Sequence, residues 1–424
     1  MTRSGKPLRL RHVVALYTGA VLGSGILVLP GLAADLAGPA SLVAWALMAV
    51  LVIPMALTMG LLSSRFPDAG GVSSFVTRAF NPLLGSLIGW FFLLSVVVGA
   101  PVLALTGAGY LCATTGLGDS FRLLIGIIIL AIGLLVNYRG VKITGQVQVA
   151  VVLTTITVLV ATVAGSLAAI APTNFVPFTP YGWVSVGHAS TVIFWCFIGW
   201  EAVSHLADEF ENPQRDAVHG TIIAAGIVSA LYILTAFVVV GTHSYGPAVS
   251  DISLVRMIGA SFGETGAFIA GGAALFICMA PAIAYIGAAA RLTRFLASNG
   301  FAPRVLSYSS KRYMTPAGGL LFLAVCFTVL LFVFSTRIVS LSSLIQVPSG
   351  TFLLTYIGGS AAGVVLLKDS TWGFLLSAVS LLLTVLVFLF IGVAVWYPLA
   401  IIIVWGVFVV VSRKDRSVSR WREY

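Results

Sequence analysis

Apolar residues run along this chain in blocks of about twenty, separated by short polar stretches, over nearly its whole length. Roughly 20 apolar residues are what an α-helix needs to cross a hydrocarbon core ~30 Å thick. The blocks predict twelve spans, at about 12–36, 39–63, 82–113, 121–138, 146–170, 185–208, 217–241, 263–296, 316–334, 338–366, 371–390 and 394–411. Backbone polar groups inside a bilayer must be satisfied within the chain, so spans of this length are helices. The expected fold class is all-α and polytopic: one transmembrane domain over 1–411, with a basic tail at 412–424.

Two spans break this pattern. The first contains Gly23-Ser24-Gly25, and the sixth runs Phe194-Trp195-Cys196-Phe197-Ile198-Gly199-Trp200-Glu201 before reaching His205. Glycine weakens a helix and frees backbone groups to point elsewhere. A carboxylate at membrane depth costs at least ~2.5 kcal/mol, so it marks a functional site by default. Each interrupted span opens a block of five, 12–171 and 184–366. Five is odd, so the second block enters the membrane from the opposite side, as an inverted-topology repeat does. The last two spans, within 371–411, fall outside the repeat.

Composition narrows the function classes. The chain is 59% hydrophobic and only 8% charged, where a soluble domain is about a quarter charged. No soluble-enzyme reading survives that comparison. The net charge is +10, carried at span ends and in short loops. Of the 23 Lys and Arg, all but Arg122, Arg256 and Arg337 fall on one side of the twelve-span arrangement. The positive-inside rule makes that side cytoplasmic, with both termini on it. The pattern suits anionic lipid rather than nucleic acid. Cys112, Cys196, Cys278 and Cys326 lie within or at the ends of apolar runs without CxxC spacing, which predicts no disulfide framework and no metal. With no HExxH, Walker A or GxSxG motif, the chain reads as a non-enzyme without cofactor. Its energy source would be an ion gradient or exchange. The first apolar stretch reads as a retained span rather than a cleaved signal.

Gly23-Ser24-Gly25-Ile26, Phe197-Ile198-Gly199-Trp200-Glu201 and Asn212-Pro213-Gln214-Arg215-Asp216 resemble the signatures of the amino acid–polyamine–organocation transporter superfamily. Phe194-Trp195-Cys196-Phe197, the run from Glu201 through His205 to Phe210, and Phe66-Pro67-Asp68-Ala69-Gly70-Gly71 are similar to the bacterial exporters of methionine and branched-chain amino acids. The resemblance implies the leucine-transporter-type fold with discontinuous helices one and six. It implies a secondary transporter exporting neutral L-amino acids (methionine, leucine, isoleucine, valine) across a bacterial cytoplasmic membrane by alternating access. A proton-coupled uptake permease is the alternative. A channel should show charged or polar rings along its spans, and a sensor should carry an output domain longer than this tail. The substrate carboxylate would rest on the N–H groups of Ser24 and Gly25, where a helix restart favours anions. Its ammonium would rest on carbonyls around Val21, Leu22, Trp195 and Phe197.

Several side chains have both a functional and a bland reading. Glu201 either carries a proton through the cycle or accepts fixed hydrogen bonds. His205, one turn on, is either a proton relay or a satisfied interfacial histidine. Trp195, Phe197 and Ile198 either line an apolar pocket or pack. Tyr285 joins them from the position of an aromatic residue in related antiporters. Gly23 and Gly25 serve close backbone approach or helix packing. Ser342, Ser343 and Gln346 read as inter-helix hydrogen bonding rather than a gate. Span five lacks the lysine that some proton-coupled relatives carry, expected near Thr154 or Thr155. The partners implied are a neutral amino acid, membrane lipid and protons, and the chain fits a monomer or a homodimer.

Overall fold

The computed structural model describes residues 7–23, 25–118, 120–246, 253–339, 344, 347–389 and 395–414. They form helices throughout: α1 (Leu10–Val21), α2 (Gly25–Ala37), α3 (Ser41–Arg65), α4 (Val72–Ala79), α5 (Pro82–Thr115), α6 (Ser120–Tyr138), α7 (Val141–Ser166), α8 (Val184–Ile193), α9 (Trp200–Ser204), α10 (Pro213–Gly241), α11 (Ser253–Ser298), α12 (Ala317–Ser335), α13 (Ser349–Leu366), α14 (Thr371–Phe388) and α15 (Trp396–Lys414). The all-helical, multi-pass class expected from the apolar blocks is what the structure shows. Among the described residues the only β-pairing is an isolated bridge between Leu8 and Phe210.

Among the described residues eight stretches are long and apolar enough to cross a bilayer, with shorter apolar helices at Gly350–Leu366 and Trp396–Val410, against the twelve counted along the sequence. Two reasons are plain. The interrupted spans split into helices such as α1, with 12 residues, and α8, with 10, which at ~1.5 Å per residue are too short alone. In the other direction, α2 and α3 merge into one apolar stretch of 41 residues, Gly25–Arg65, around a turn at Gly38-Pro39-Ala40.

The breaks have local causes. α1 stops at Val21, and α2 restarts at Gly25. In the sixth span α8 tightens into a 3-10 turn at Phe194–Phe197, and Ile198 is extended with φ −82° and ψ 142°. Gly199 then takes φ 139°, a conformation that side chains beyond hydrogen rarely adopt. A Cβ there would also sit 2.7 Å from the Ala20 carbonyl oxygen. The two breaks therefore touch, backbone against backbone.

Around them α5 packs along α11, α3 along α10, and α7 against both α1 and α11. One end of the bundle is tied by polar contacts. The Leu8 N–H donates to Glu209 O at 2.9 Å, and the Glu211 N–H donates to Leu8 O at 2.8 Å. Arg9 pairs with Glu211 at 3.6 Å, and Arg291 with Glu209 at 3.6 Å. At the same end Arg65 donates to both oxygens of Asp369, each at 2.5 Å. The guanidinium holds the Asp369 carboxyl below the usual carboxylate range. The pair is exposed, so it contributes little to stability.

Candidate functional site

Between the breaks lies a cavity of about 140 Å³. Apolar voids of ~150 Å³ admit a molecule the size of benzene, so this one takes a single modest apolar side chain. Its wall is made by Val21, Gly23 and Gly25 at the first break, Cys196 and Ile198 at the second, and Tyr285 and Phe352 from α11 and α13. Val28 and Leu29 on α2 and Thr106 on α5 carry the lining away from the end that holds Leu8. Among the described residues no Asp, Glu, Lys or Arg lines it.

Five of the residues singled out from sequence meet in this wall: Val21, Gly23, Gly25, Ile198 and Tyr285. Leu22 is fully buried in the core instead. Phe197 turns away and packs on Trp45 and Tyr232, with ring centroids 6.2 and 5.2 Å away. Ser24 and the side chain of Trp195 lie outside the described residues, as do Ser342, Ser343 and Gln346.

Glu201 sits directly beneath, with no accessible surface. Its Oε1 accepts from the Tyr285 hydroxyl at 3.0 Å, and its Oε2 accepts from the Gly199 N–H at 3.0 Å. Tyr356 completes the arrangement. Its hydroxyl oxygen accepts from the N–H groups of Gly199 and Trp200, both at 3.0 Å. These are amides that a restarting helix leaves unpaired. No ion pair among the described residues involves Glu201. Tyr285 thus belongs to two structures at once, its ring in the cavity wall and its hydroxyl on the carboxylate.

His205 lies one layer further down. Its Nδ1 donates to Ala69 O at 3.3 Å, and its ring stacks on Phe92 at 4.5 Å. Gly71, with φ 50°, lets the 66–71 loop close over that ring, and a Cβ there would collide with Nδ1. The hydrogen bonds of Glu201 and His205 go to separate partners.

Two further groups were invisible in sequence. Tyr232 on α10 donates to Val21 O at 2.8 Å and Cys196 O at 2.9 Å. One hydroxyl proton serves carbonyls from both breaks. Gln148 on α7 also reaches the broken helix. Its side-chain amide lies against Gly19 and donates to Ala280 O at 3.1 Å. Thr154 spends its hydroxyl on Ala150 O of its own helix, and Thr155 is buried further along α7.

A family model for amino acid permeases matches residues 8–412. The chain belongs to this family. It is 36% identical to an uncharacterized amino acid permease of Bacillus subtilis, YecA, over 91% of each chain. It is 31% identical to the L-methionine/branched-chain amino acid exporter YjeH of Escherichia coli over 96% of each. The branched-chain amino acid permease BcaP of Bacillus subtilis is 26% identical over 70% of this chain and 68% of its own. The permease is therefore a multi-pass membrane transporter in the amino acid–polyamine–organocation superfamily, and not an enzyme.

For this permease Tyr232 offers a direct test of the site. Removing a donor from a buried acceptor costs about 1–3 kcal/mol. Tyr232→Phe should lower the melting temperature of the empty permease. If the ammonium of a bound amino acid rests on the same carbonyls, it replaces the lost donor and the loss should be smaller with ligand. Equal losses with and without amino acid, read by thermal shift, would separate the Tyr232 carbonyls from the ligand site.

Proposed function

We propose that the chain exports neutral, apolar L-amino acids, among them methionine, leucine, isoleucine and valine, by alternating access. The supporting observation is the cavity itself. It joins the two helix breaks, takes one modest side chain, and carries no second charge for a dibasic or acidic substrate. The substrate carboxylate lies at the α2 restart, on the N–H groups of Ser24 and Gly25, and its ammonium on carbonyls of the two breaks. Tyr285, Phe352 and Ile198 hold the side chain.

The direction follows the exporter YjeH, which matches nearly the whole chain. The match to BcaP keeps uptake as the second reading. Twelve spans, with an inverted five-plus-five repeat over 12–171 and 184–366, fit the meeting of the breaks. The termini lie in the cytoplasm of a bacterial cell whose inner membrane holds the protein. The cavity then opens outward and is closed inward by Glu201, Tyr356 and His205. Glu201 exchanges a proton with each cycle, and no metal takes part.

Counterflow in proteoliposomes tests this reading. Unlabelled methionine, leucine, isoleucine and valine should each drive uptake of labelled methionine, while lysine and glutamate should not. Tyr285→Ala should change the ranking among the four, since it enlarges the wall facing the side chain. Lysine-driven counterflow, or an unchanged ranking in the variant, would place the substrate elsewhere.

A further inference from the structure

The cations of the connections after α6 and before α12 are not used by any ion pair among the described residues. Arg139, Arg304, Lys311 and Arg312 lie there, and residues 138–146 and 299–316 contain no Asp or Glu. Two of these guanidiniums are brought to one place. Arg312 lies 5.2 Å and Arg139 6.0 Å from the centre of the Tyr313 ring. That ring meets Tyr138 edge-on at 5.4 Å. The turn carrying it is fixed, with Thr315 Oγ1 donating to Tyr138 O at 3.0 Å and the Ser310 N–H donating to Thr315 O at 2.9 Å. The ring face offsets part of their repulsion, and no carboxylate in either connection neutralises them, so the pair is open to an anion.

The surroundings identify that anion. Val305 is 74%, Tyr308 59% and Met314 52% exposed on the same connection. Just inside the adjoining helices, Leu135 on α6 and Leu321 on α12 face outward at 55% and 67%. These residues mark where hydrocarbon begins, so the guanidiniums sit at the level of the lipid headgroups. Free phosphate would leave the exposed apolar side chains without a partner, whereas a lipid supplies an acyl chain to cover them. A planar guanidinium pairs bidentately with a phosphodiester.

We infer that Arg139 and Arg312, set around Tyr313, form a binding site for the phosphate of an anionic glycerophospholipid. The site bridges α6 and α12 at the bundle end that holds Leu8.

Native mass spectrometry of the full-length protein, titrated with dioleoylphosphatidylglycerol and with dioleoylphosphatidylcholine, reads the site. The wild type should retain the anionic lipid preferentially. Arg139→Gln/Arg312→Gln should bind it about 25-fold more weakly, since each arginine near an anionic headgroup is worth about fivefold. Arg304→Gln/Lys311→Gln removes the same charge outside the pair and should lose less than about fivefold. Arg139→Lys/Arg312→Lys keeps both charges but not the bidentate fork, and should bind more tightly than the Gln pair and more weakly than the wild type, which distinguishes loss of charge from loss of fold. Equal losses in the two Gln pairs would replace the site by a diffuse positive field and overturn the inference. Unchanged binding by Arg139→Gln/Arg312→Gln would overturn it as well. So would full displacement of the lipid by millimolar inorganic phosphate, which would make this a site for the free ion.

Discussion

Gly25→Ala should abolish the thermal stabilisation of this permease by methionine, and Cys196→Ala in the same chain should restore it. A Cβ on Gly25 would lie 2.5 Å from Cys196 Sγ, closer than real Cβ contacts come. The remaining neighbours, Cys196 Cα and Cβ, are at 3.5 and 3.6 Å, which is ordinary contact. The sulfur must therefore move, and it already lines the cavity. Forcing atoms into a packed site costs about 1–3 kcal/mol, here taken from the space meant for the substrate. Removing the sulfur removes the only severe contact, so the double variant should recover. Contacting residues couple by about 0.5–3 kcal/mol in such cycles. Normal stabilisation of Gly25→Ala alone would move the ligand away from the first break. Failure of the double variant would mean that Gly25 is needed for its backbone and not for its room.

Glu201→Gln should keep methionine exchange but lose accumulation driven by a pH gradient. Glutamine can satisfy the same surroundings, with Oε1 accepting from the Gly199 N–H and Nε2 donating to the Tyr285 oxygen. The shape is kept and the titration is lost. Tyr285 ties the carboxylate to the cavity wall at 3.0 Å, so a change in the wall changes the surroundings of the carboxylate. A group whose surroundings differ between two states links its proton to the balance between them. Labelled methionine should still swap for unlabelled in proteoliposomes carrying the variant, while an imposed pH gradient should no longer concentrate it. Undiminished concentration would leave Glu201 as a fixed acceptor for Tyr285 and Gly199.

The positions of the breaks were legible because glycines and one carboxylate interrupted otherwise apolar runs. A bilayer penalises such residues, so each stands out in a single sequence. The helical class was legible for the same reason. The wall of the site was less so. Phe197 and Ile198 are neighbours in an aromatic stretch, yet only Ile198 lines the cavity, because the 3-10 turn at Phe194–Phe197 rotates one away from the other. Helical counting cannot anticipate that rotation. Phe352 and Tyr356 lie in an unremarkable apolar span, and Tyr356 finds its partner 157 residues away. Tyr232 gathers carbonyls 36 and 211 residues distant. Such roles come from tertiary contact and leave no local spacing to read. Gln148 was missed because its contacts, Gly19 and Ala280, are far from it in sequence.

The bridge between Leu8 and Phe210 bears on how this region can diverge among descendants of one ancestor. Both of its hydrogen bonds use the main-chain N–H and carbonyl of Leu8, so most substitutions leave them in place. The buried Leu8 side chain lies near Gly145, which limits its size, and the Leu8 N–H bond to Glu209 O excludes proline there. Its partners Glu209 and Glu211 contribute only main-chain atoms to the bridge. Most side chains of both segments can therefore change without removing the main-chain join between them.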